Sequence, residues 1–421
     1  MIRARTLRIV GRYVALAVAL LLVLPVLPWP NASLFLPAVS PWIMAASALA
    51  LRGVSMVTLL GVPVLVLVLW RRRWFCTHAC PTGLVLEWLA KASPLRRRRW
   101  WKAAPEVGKW IALLTLGGAA LGYPLALWLD PLAMFPALFG LARHLPGWPE
   151  ALAGVALATV AIASLVAPNL WCRRLCPLGA SQDMLASAVH WRLLRVTAHS
   201  SAGPTGVQAL ARRTMLSVGL GAVAAGLGAA TGGWLTRRLA VAGEDLGPLR
   251  PPGAVDASQF GGLCVRCGNC IRECPKGILH ADLGEGGIQS YLAPLLRIGG
   301  TYCSEDCNAC SQVCPSGAIQ RLSLPEKNRA TIGIAKVDIN HCLLGWDQEC
   351  SVCENRCPYE AIKIQFDKVE YITLPQADPE KCTGCGACQV ACPTKPKAIF
   401  VVAEPERRVL PIVEAKERRT T

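Results

Sequence analysis

Cys264-Val265-Arg266-Cys267-Gly268-Asn269-Cys270-Ile271-Arg272-Glu273-Cys274-Pro275 is the stretch that decides how this chain is read. Its spacing is C-x2-C-x2-C-x3-C-P, and Cys382, Cys385, Cys388 and Cys392 before Pro393 repeat it without change. Cys303, Cys307, Cys310 and Cys314 before Pro315 carry one extra residue in the first gap. Cys342, Cys350, Cys353 and Cys357 before Pro358 carry a seven-residue first gap. A cubane needs thiolates from several directions around a compact core, and closely spaced cysteines let one loop wrap it. Gly268, Gly384 and Gly386 supply unusual backbone angles there. The proline turns the chain away and brings no amide to compete for the sulfur. Zinc knuckles lack the fixed Cys-Pro ending, and disulfides would not repeat one spacing. The sixteen cysteines therefore read as ligands of four [4Fe–4S] clusters. Cys342 is the least constrained, because its long gap also fits an open or differently ligated iron.

In two-cluster ferredoxins the last cysteine of each motif serves the other motif's cluster. The gaps between motifs leave two pairings open. They are one with two and three with four, or one with four enclosing two with three. Analogy with four-cluster electron-transfer subunits favours the nested form. Ala361-Ile-Lys-Ile and Ala398-Ile-Phe-Val-Val are expected as the short strands that follow the cysteines.

Upstream the composition changes. The 421-residue chain is 53% hydrophobic, and that content is concentrated in its first 240 residues. Spanning a bilayer takes about 20 apolar residues per helix. Five stretches qualify: Tyr13–Trp29, Gly53–Trp70, Trp110–Leu129, Ala151–Trp171 and the Gly/Ala-rich Thr214–Thr236. Residues 31–50, with Pro37 and Pro41, read as an interfacial or re-entrant piece. The formal net charge is +17, but its arginines abut apolar segments, which favours a membrane over nucleic acid. Arg3, Arg5, Arg8 and Arg12, then Arg71 to Arg73 with Arg96 to Arg99, then Arg173, Arg174, Arg212 and Arg213 all fall on one side of the spans. That side is cytoplasmic by the positive-inside rule, so everything after Thr236 is expected in the periplasm. Arg212-Arg213-Thr214-Met215-Leu216 looks like a twin-arginine export signal, and it also serves as the positive anchor of the fifth span. Gly247 to Gly253 reads as a linker.

Four cysteines remain. Cys76 and Cys80 before Pro81, and Cys172 and Cys176 before Pro177, form a matched C-x3-C-P pair, each following a span. The match implies two copies of a two-span unit. The four thiols suit a further cluster, a thiol/disulfide redox pair, or cysteines that only pack loops. The six histidines form no bis-histidine pair on a span and no C-x2-C-H occurs, so no haem is expected. There is no P-loop and no G-x-G-x-x-G in a strand–helix setting. Asp130, in Leu129-Asp130-Pro131-Leu132, is a candidate quinol proton acceptor, against the plainer reading of a helix-end acid facing water.

The C-x3-C-P membrane part resembles NapH and MauN. The part from Arg250-Pro-Pro-Gly-Ala through the Cys264 motif, the C-x7-C-x2-C-x3-C-P of Cys342 to Cys357, and Cys382-Thr-Gly-Cys-Gly-Ala-Cys resembles NapG and MauM. The chain looks like a fusion of the two components. It departs in the spacing of the second motif and in lacking the cytoplasmic ferredoxin tail usual in NapH-type proteins. The resemblance implies oxidation of quinol from the membrane pool, with electrons passed to a periplasmic redox enzyme of a nitrate reductase or methylamine dehydrogenase system. A maturation or accessory redox role without quinol turnover is the alternative. The expected fold is an α-helical membrane domain of about five spans and an α+β polyferredoxin domain of two ferredoxin-like 2[4Fe–4S] units. The domains are 1–210 with both C-x3-C-P loops, 211–246 as the twin-arginine helix and linker, and 247–421 as the periplasmic cluster domain. The expected location is the bacterial inner membrane.

Overall fold

Several apolar runs in the first half of the chain are cut into short helices by prolines and glycines, whereas the helix Ile2–Val23 and the Gly-rich helix Pro204–Ala242 run unbroken. The computed structural model describes residues 2–24, 32–95, 105–142, 151–198, 204–242, 247–367 and 371–404. The helices are α1 (Ile2–Val23), α2 (Phe35–Ala38), α3 (Pro41–Leu51), α4 (Val62–Trp70), α5 (Trp74–His78), α6 (Pro81–Ala92), α7 (Val107–Ala120), α8 (Pro131–Phe139), α9 (Val155–Val166), α10 (Pro177–Ala198) and α11 (Pro204–Ala242).

The expected duplication is visible in the packing. The series α1, α3, α4, α6 is repeated by α7, α8, α9, α10, and the copies interlock. α3 packs on α7 as α8 packs on α1, and α4 packs on α10 as α9 packs on α6. The helices α3 and α8 start alike. Ser40 and Asp130 are extended N-caps, each followed by proline at the first helical position. A residue before proline is pushed out of the helical region, and proline is pre-organised for the first turn.

Several expected span limits move. α7 ends at Ala120, short of Leu129, because Gly122 sits at φ +92° and Pro124 follows. α9 ends at Val166, before Pro168 and the left-handed Asn169. Residues 53–57 precede the helical part of the second expected span. Among the described residues no single helix is long and apolar enough to cross a membrane. Ala32–Ala38 and Pro41–Leu51 meet that measure only together, bent by 84°, the geometry of a broken span or of a re-entrant loop. The end of the first expected span, residues 25–29, and the side chains of Arg212 and Arg213 lie outside the described residues. Outward faces are nonetheless apolar, with Val14, Val66, Ile162, Val166, Val223 and Leu227 exposed. α11 lies against α7 almost backbone to backbone. A Cβ on Gly117 would collide with the Ala225 carbonyl, and one on Gly228 with the Leu114 carbonyl. That is the small-residue packing expected of the Gly-rich segment.

The second half is a pair of ferredoxin units. Strands β1 (Leu279–Ala281) and β2 (Pro294–Leu296) form one antiparallel hairpin, and β4 (Ile362–Asp367) and β5 (Ile372–Ala377) another. Strand β3 (Ile334–Val337) closes on β6 (Ile399–Val402). An Ala254–Ile319 bridge does the same service in the first unit. The strands expected after Cys357 and Cys392 are thus β4 and β6. The expected linker at 247–253 is instead built into the first unit. Arg250 is 5% exposed and donates to Asp282 Oδ2 at 3.2 Å and to the Pro294 carbonyl at 2.8 Å.

The helical half and the first unit share one apolar core, which runs from Cys80 and Cys176 through Ala112 and Leu127 to Phe260, Cys264 and Cys270. Asn269 Nδ2 donates to the Ser33 carbonyl at 3.2 Å, and the Arg266 guanidinium lies 5.6 Å from the Trp128 ring centre.

Candidate metal centres

Each C-x2-C segment ends in a helix of one turn that carries its third cysteine: Cys270, Cys310, Cys353 and Cys388. Gly268 at φ +71° and Gly386 at φ +86° lead into two of these turns, and Gly384 is also left-handed. A Cβ is strained there, so the glycines perform the task their positions implied.

The cysteines converge on four small cavities. Site I is lined by Cys264, Cys267, Cys270 and Cys314. Site II is lined by Cys274, Cys303, Cys307 and Cys310. Site III is lined by Cys342, Cys350, Cys353 and Cys392, and site IV by Cys357, Cys382, Cys385 and Cys388. Motifs one and two therefore exchange their fourth cysteines, as do three and four. This replaces the nested pairing that analogy favoured. The physical reason is strand closure: Ala254–Ile319 and β3–β6 each fold one motif pair back on itself. Cys342 joins its set because the long gap is taken up by a tight turn at Leu343–Trp346, with Leu343 and Leu344 against the cavity. The extra residue between Cys303 and Cys307 leaves site II intact.

The donor chemistry fits [4Fe–4S] clusters. All twenty cysteines are free of disulfides. Burial pushes several of these thiols up, Cys267 to about 12 and Cys353 and Cys385 to about 11. Bare thiolates there are costly, and coordinated iron removes that cost by replacing the proton. The Ile319 amide donates to Cys314 Sγ at 3.3 Å and the Ala361 amide to Cys357 Sγ at 3.3 Å. Such bonds stabilise charge on the sulfur and tune its potential. Among the described residues no three His, Cys, Asp or Glu side chains converge as ligands of a single ion. A cubane spreads its ligands more widely than one ion does.

The sites are joined in series. Sites I and II share the first unit. The Cys303 amide donates to the Cys385 carbonyl at 3.0 Å, which joins site II to site IV. Site IV shares the second unit with site III.

The C-x3-C-P cysteines also come together, as site V. Cys76 and Cys80 leave α5 for α6, and Cys172 and Cys176 leave a wide turn at Trp171–Leu175 for α10. The Gly83 amide donates to Cys80 Sγ at 3.3 Å, and the Gly179 amide to Cys176 Sγ at 3.4 Å. These two bonds are symmetric counterparts and repeat the amide-to-sulfur pattern of Cys314 and Cys357. Burial first, and then the charge of Cys172, pushes Cys80 up to about 12. Burial likewise pushes Cys172 up to about 11 against the opposing charge of Arg73. Arg73 also donates to the Cys172 carbonyl at 3.3 Å and pairs with Asp183 at 2.5 Å, while Arg72 holds the other Asp183 oxygen at 2.7 Å. Sequence reasoning passed over this triad, although Arg73 stands three residues before Cys76.

Asp130 is wholly buried, so the reading of an acid facing water is corrected. Its Oδ2 accepts from Ser40 Oγ at 2.5 Å and its Oδ1 from the Leu132 amide at 2.7 Å. Each oxygen already accepts one hydrogen bond inside the protein. Its partner Ser40 was missed, although Ser40-Pro41-x-x-Met44 and Asp130-Pro131-x-x-Met134 stand in the sequence as a repeat. His78 Nδ1 pairs with Thr77 Oγ1 at 2.7 Å, and its ring stacks on Trp74.

Comparison with known proteins agrees with this division. A 4Fe-4S dicluster domain family matches residues 263–319, and a second 4Fe-4S dicluster domain family matches residues 348–395. A 4Fe-4S binding domain family matches residues 52–102 and 149–195, the two C-x3-C-P loops. The ferredoxin-type protein NapG of Escherichia coli is 34% identical over 178 residues, which is 40% of this chain and 72% of NapG. The methylamine utilization ferredoxin-type protein MauM of Methylorubrum extorquens is 37% identical over 162 residues, 37% of this chain and 72% of MauM. The ferredoxin-type protein NapF of Escherichia coli is 36% identical over 150 residues, 34% of this chain and 80% of NapF. No solved structure matches the chain. With two dicluster units, their exchanged fourth cysteines and these relatives together, the chain belongs to the NapG/MauM family of iron–sulfur ferredoxin-type proteins.

Proposed function

We propose that this chain is a membrane-anchored quinol dehydrogenase component, a NapH-like unit fused to a NapG-like one. It takes electrons from membrane quinol and delivers them to a periplasmic redox enzyme of the nitrate reductase or methylamine dehydrogenase type. The helical part sits in the bacterial inner membrane with its N-terminus in the cytoplasm, and the ferredoxin units are periplasmic. Apolar outward faces on α1, α4, α9 and α11 support the membrane placement, as do the arginine-rich loops beside them. A chain exported by a twin-arginine signal at Arg212-Arg213 would carry its clusters already in place.

One observation carries the reading: the ligand sets lie in a single series. A continuous apolar core joins site V to site I, sites I and II share a unit, and Cys303–Cys385 joins II to IV and so to III. Bound clusters supply one-electron acceptance and donation. The chain's own residues fix their order, exclude water and aim amides at the sulfurs. Cys76, Cys80, Cys172 and Cys176 are assigned to a fifth [4Fe–4S] cluster, since their amide bonds copy those of the ferredoxin sites.

An EPR-monitored redox titration with quantified iron tests both parts. Iron for five cubanes is expected, falling to four when Cys76 and Cys172 become serine. Clusters that stay oxidised when quinol is added to membranes holding the chain would sink the dehydrogenase reading.

A further inference from the structure

A cleft of about 800 Å³ lies where the helical half meets the first ferredoxin unit. That is the size range of small-molecule sites. Its floor is apolar: Ala50 and Leu51 at the end of α3, with Ala254 and Val255 opposite. Leu121, just past α7, stands exposed at its edge. Several polar side chains of its lining are uncommitted. Arg52, Asp256, Gln259 and Gln320 have no side-chain hydrogen bond or ion pair among the described residues. Asp256 even occupies the N-cap position of helix α12 (Ala257–Leu263) without capping it. An N-cap aspartate normally spends its carboxylate on the first turn.

The cleft backs onto two ligand sets at once. Gly253 lines it, and the preceding Pro252 lines site II. The Val255 amide donates to the Ala318 carbonyl at 2.9 Å, and the next residue, Ile319, donates to Cys314 of site I. Gln259 lines the cleft and Phe260 lines site I. One layer of backbone therefore separates the cleft from sites I and II.

We infer that this cleft binds the quinol head group, with Asp256 as the acceptor of a hydroxyl proton and Arg52 and Gln259 as its orienting partners. The inference rests on the quinol dehydrogenase reading and gives it a place. The bound quinol loses two electrons and two protons and leaves as quinone. Clusters held by Cys264, Cys267, Cys270 and Cys314 at site I and by Cys274, Cys303, Cys307 and Cys310 at site II would each accept one of the electrons. One proton goes to the Asp256 carboxylate and from there to water at the open mouth, and the other goes to water directly. The apolar floor and the exposed Leu121 suit the ring and the start of an isoprenoid tail.

The test uses the full holo chain in nanodiscs, menadiol as donor and an azidoquinone as photoprobe. Photolabel is expected in residues 50–52 and 253–259. Asp256→Asn is expected to lower kcat/KM for menadiol at least tenfold while dithionite reduction and the cluster EPR signals stay as in the wild type. Leu121→Trp, which fills the edge, is expected to raise KM severalfold with little change in kcat. Label that maps elsewhere, or menadiol kinetics unchanged in both variants, overturns the placement while leaving the dehydrogenase reading standing. If menadiol leaves the wild-type clusters oxidised, the dehydrogenase reading falls and this inference falls with it.

Discussion

The Cys303 amide donates to the Cys385 carbonyl at 3.0 Å, and this bond is where the two ferredoxin units touch through their ligand loops. It makes site II and site IV neighbours and leaves site III, around Cys342, at the far end. Removing site IV should cut the series in two. In Cys385→Ser, sites I and II should still be reduced by quinol, while site III stays oxidised on the same timescale. Freeze-quench EPR reads both populations, and equal reduction of site III in the variant would refute the order.

Pairing is tested by the fourth cysteines. Cys314 lines site I and Cys274 lines site II, each lent by the other motif. Cys314→Ser should perturb the cluster held by Cys264, Cys267 and Cys270 and spare the one held by Cys303, Cys307 and Cys310. Cys392→Ser should likewise perturb the cluster of Cys342, Cys350 and Cys353. Mössbauer and EPR spectra of the purified variants report which cluster changes. A nested pairing predicts a different victim in every case.

Much of this was legible beforehand, and what was not has a physical cause. Local spacing says which three cysteines wrap one cluster, because a short loop leaves no alternative. The owner of the fourth is decided by strands far apart in sequence, such as Ala254 on Ile319, which spacing cannot report. Apolar runs were equally plain, yet their helices stop early at Gly122 and Pro168, since backbone geometry ends a helix whatever the hydropathy beyond it. Gly247 to Gly253 has a linker's composition, but Arg250 finds Asp282 thirty-two residues away and is buried by it. The cleft between the halves is made by residues from both and has no motif at all.

The Asp183 triad makes a pH-dependent prediction. Burial alone would push Asp183 up, but the hydrogen bonds and charges of Arg72 and Arg73 outweigh it and hold the carboxyl below its ordinary range. A carboxyl depressed in the folded state contributes stability that is present above its unfolded pKa, about 3.9. That contribution is lost as pH falls through the folded value. Asp183→Asn should therefore lower stability at neutral pH by about 1.5–3 kcal/mol, the range for hydrogen bonds to charged groups. It should also flatten the acid side of the unfolding profile below about pH 4. Because Arg73 also holds the Cys172 carbonyl, the variant should lose iron from site V before any other site. Denaturant unfolding in detergent across pH, with iron counted per chain, checks all three.

Ser40 and Asp130 give the last prediction, since they are equivalent positions of the duplicated unit that meet in its middle. Each caps its own helix, α3 or α8, and the Ser40 hydroxyl donates to Asp130 across the join. Thr82, two residues after Cys80, donates to the Pro131 carbonyl at 2.9 Å, so the same join braces the site V loop. Asp130→Ala removes a cap, worth about 0.5–2 kcal/mol. It also strands a buried hydroxyl, at about 1–3 kcal/mol more. Asp130→Asn keeps one oxygen to accept from the Leu132 amide and places its NH2 to donate to the Ser40 hydroxyl, so it should cost much less. If the pair is a structural join, menadiol kinetics at neutral pH should be near wild type in Asp130→Asn, while Asp130→Ala loses thermal stability and site V iron together. A large loss of turnover in Asp130→Asn with stability intact would instead return Asp130 to the proton path. Its buried carboxylate, with both oxygens engaged, argues against that result.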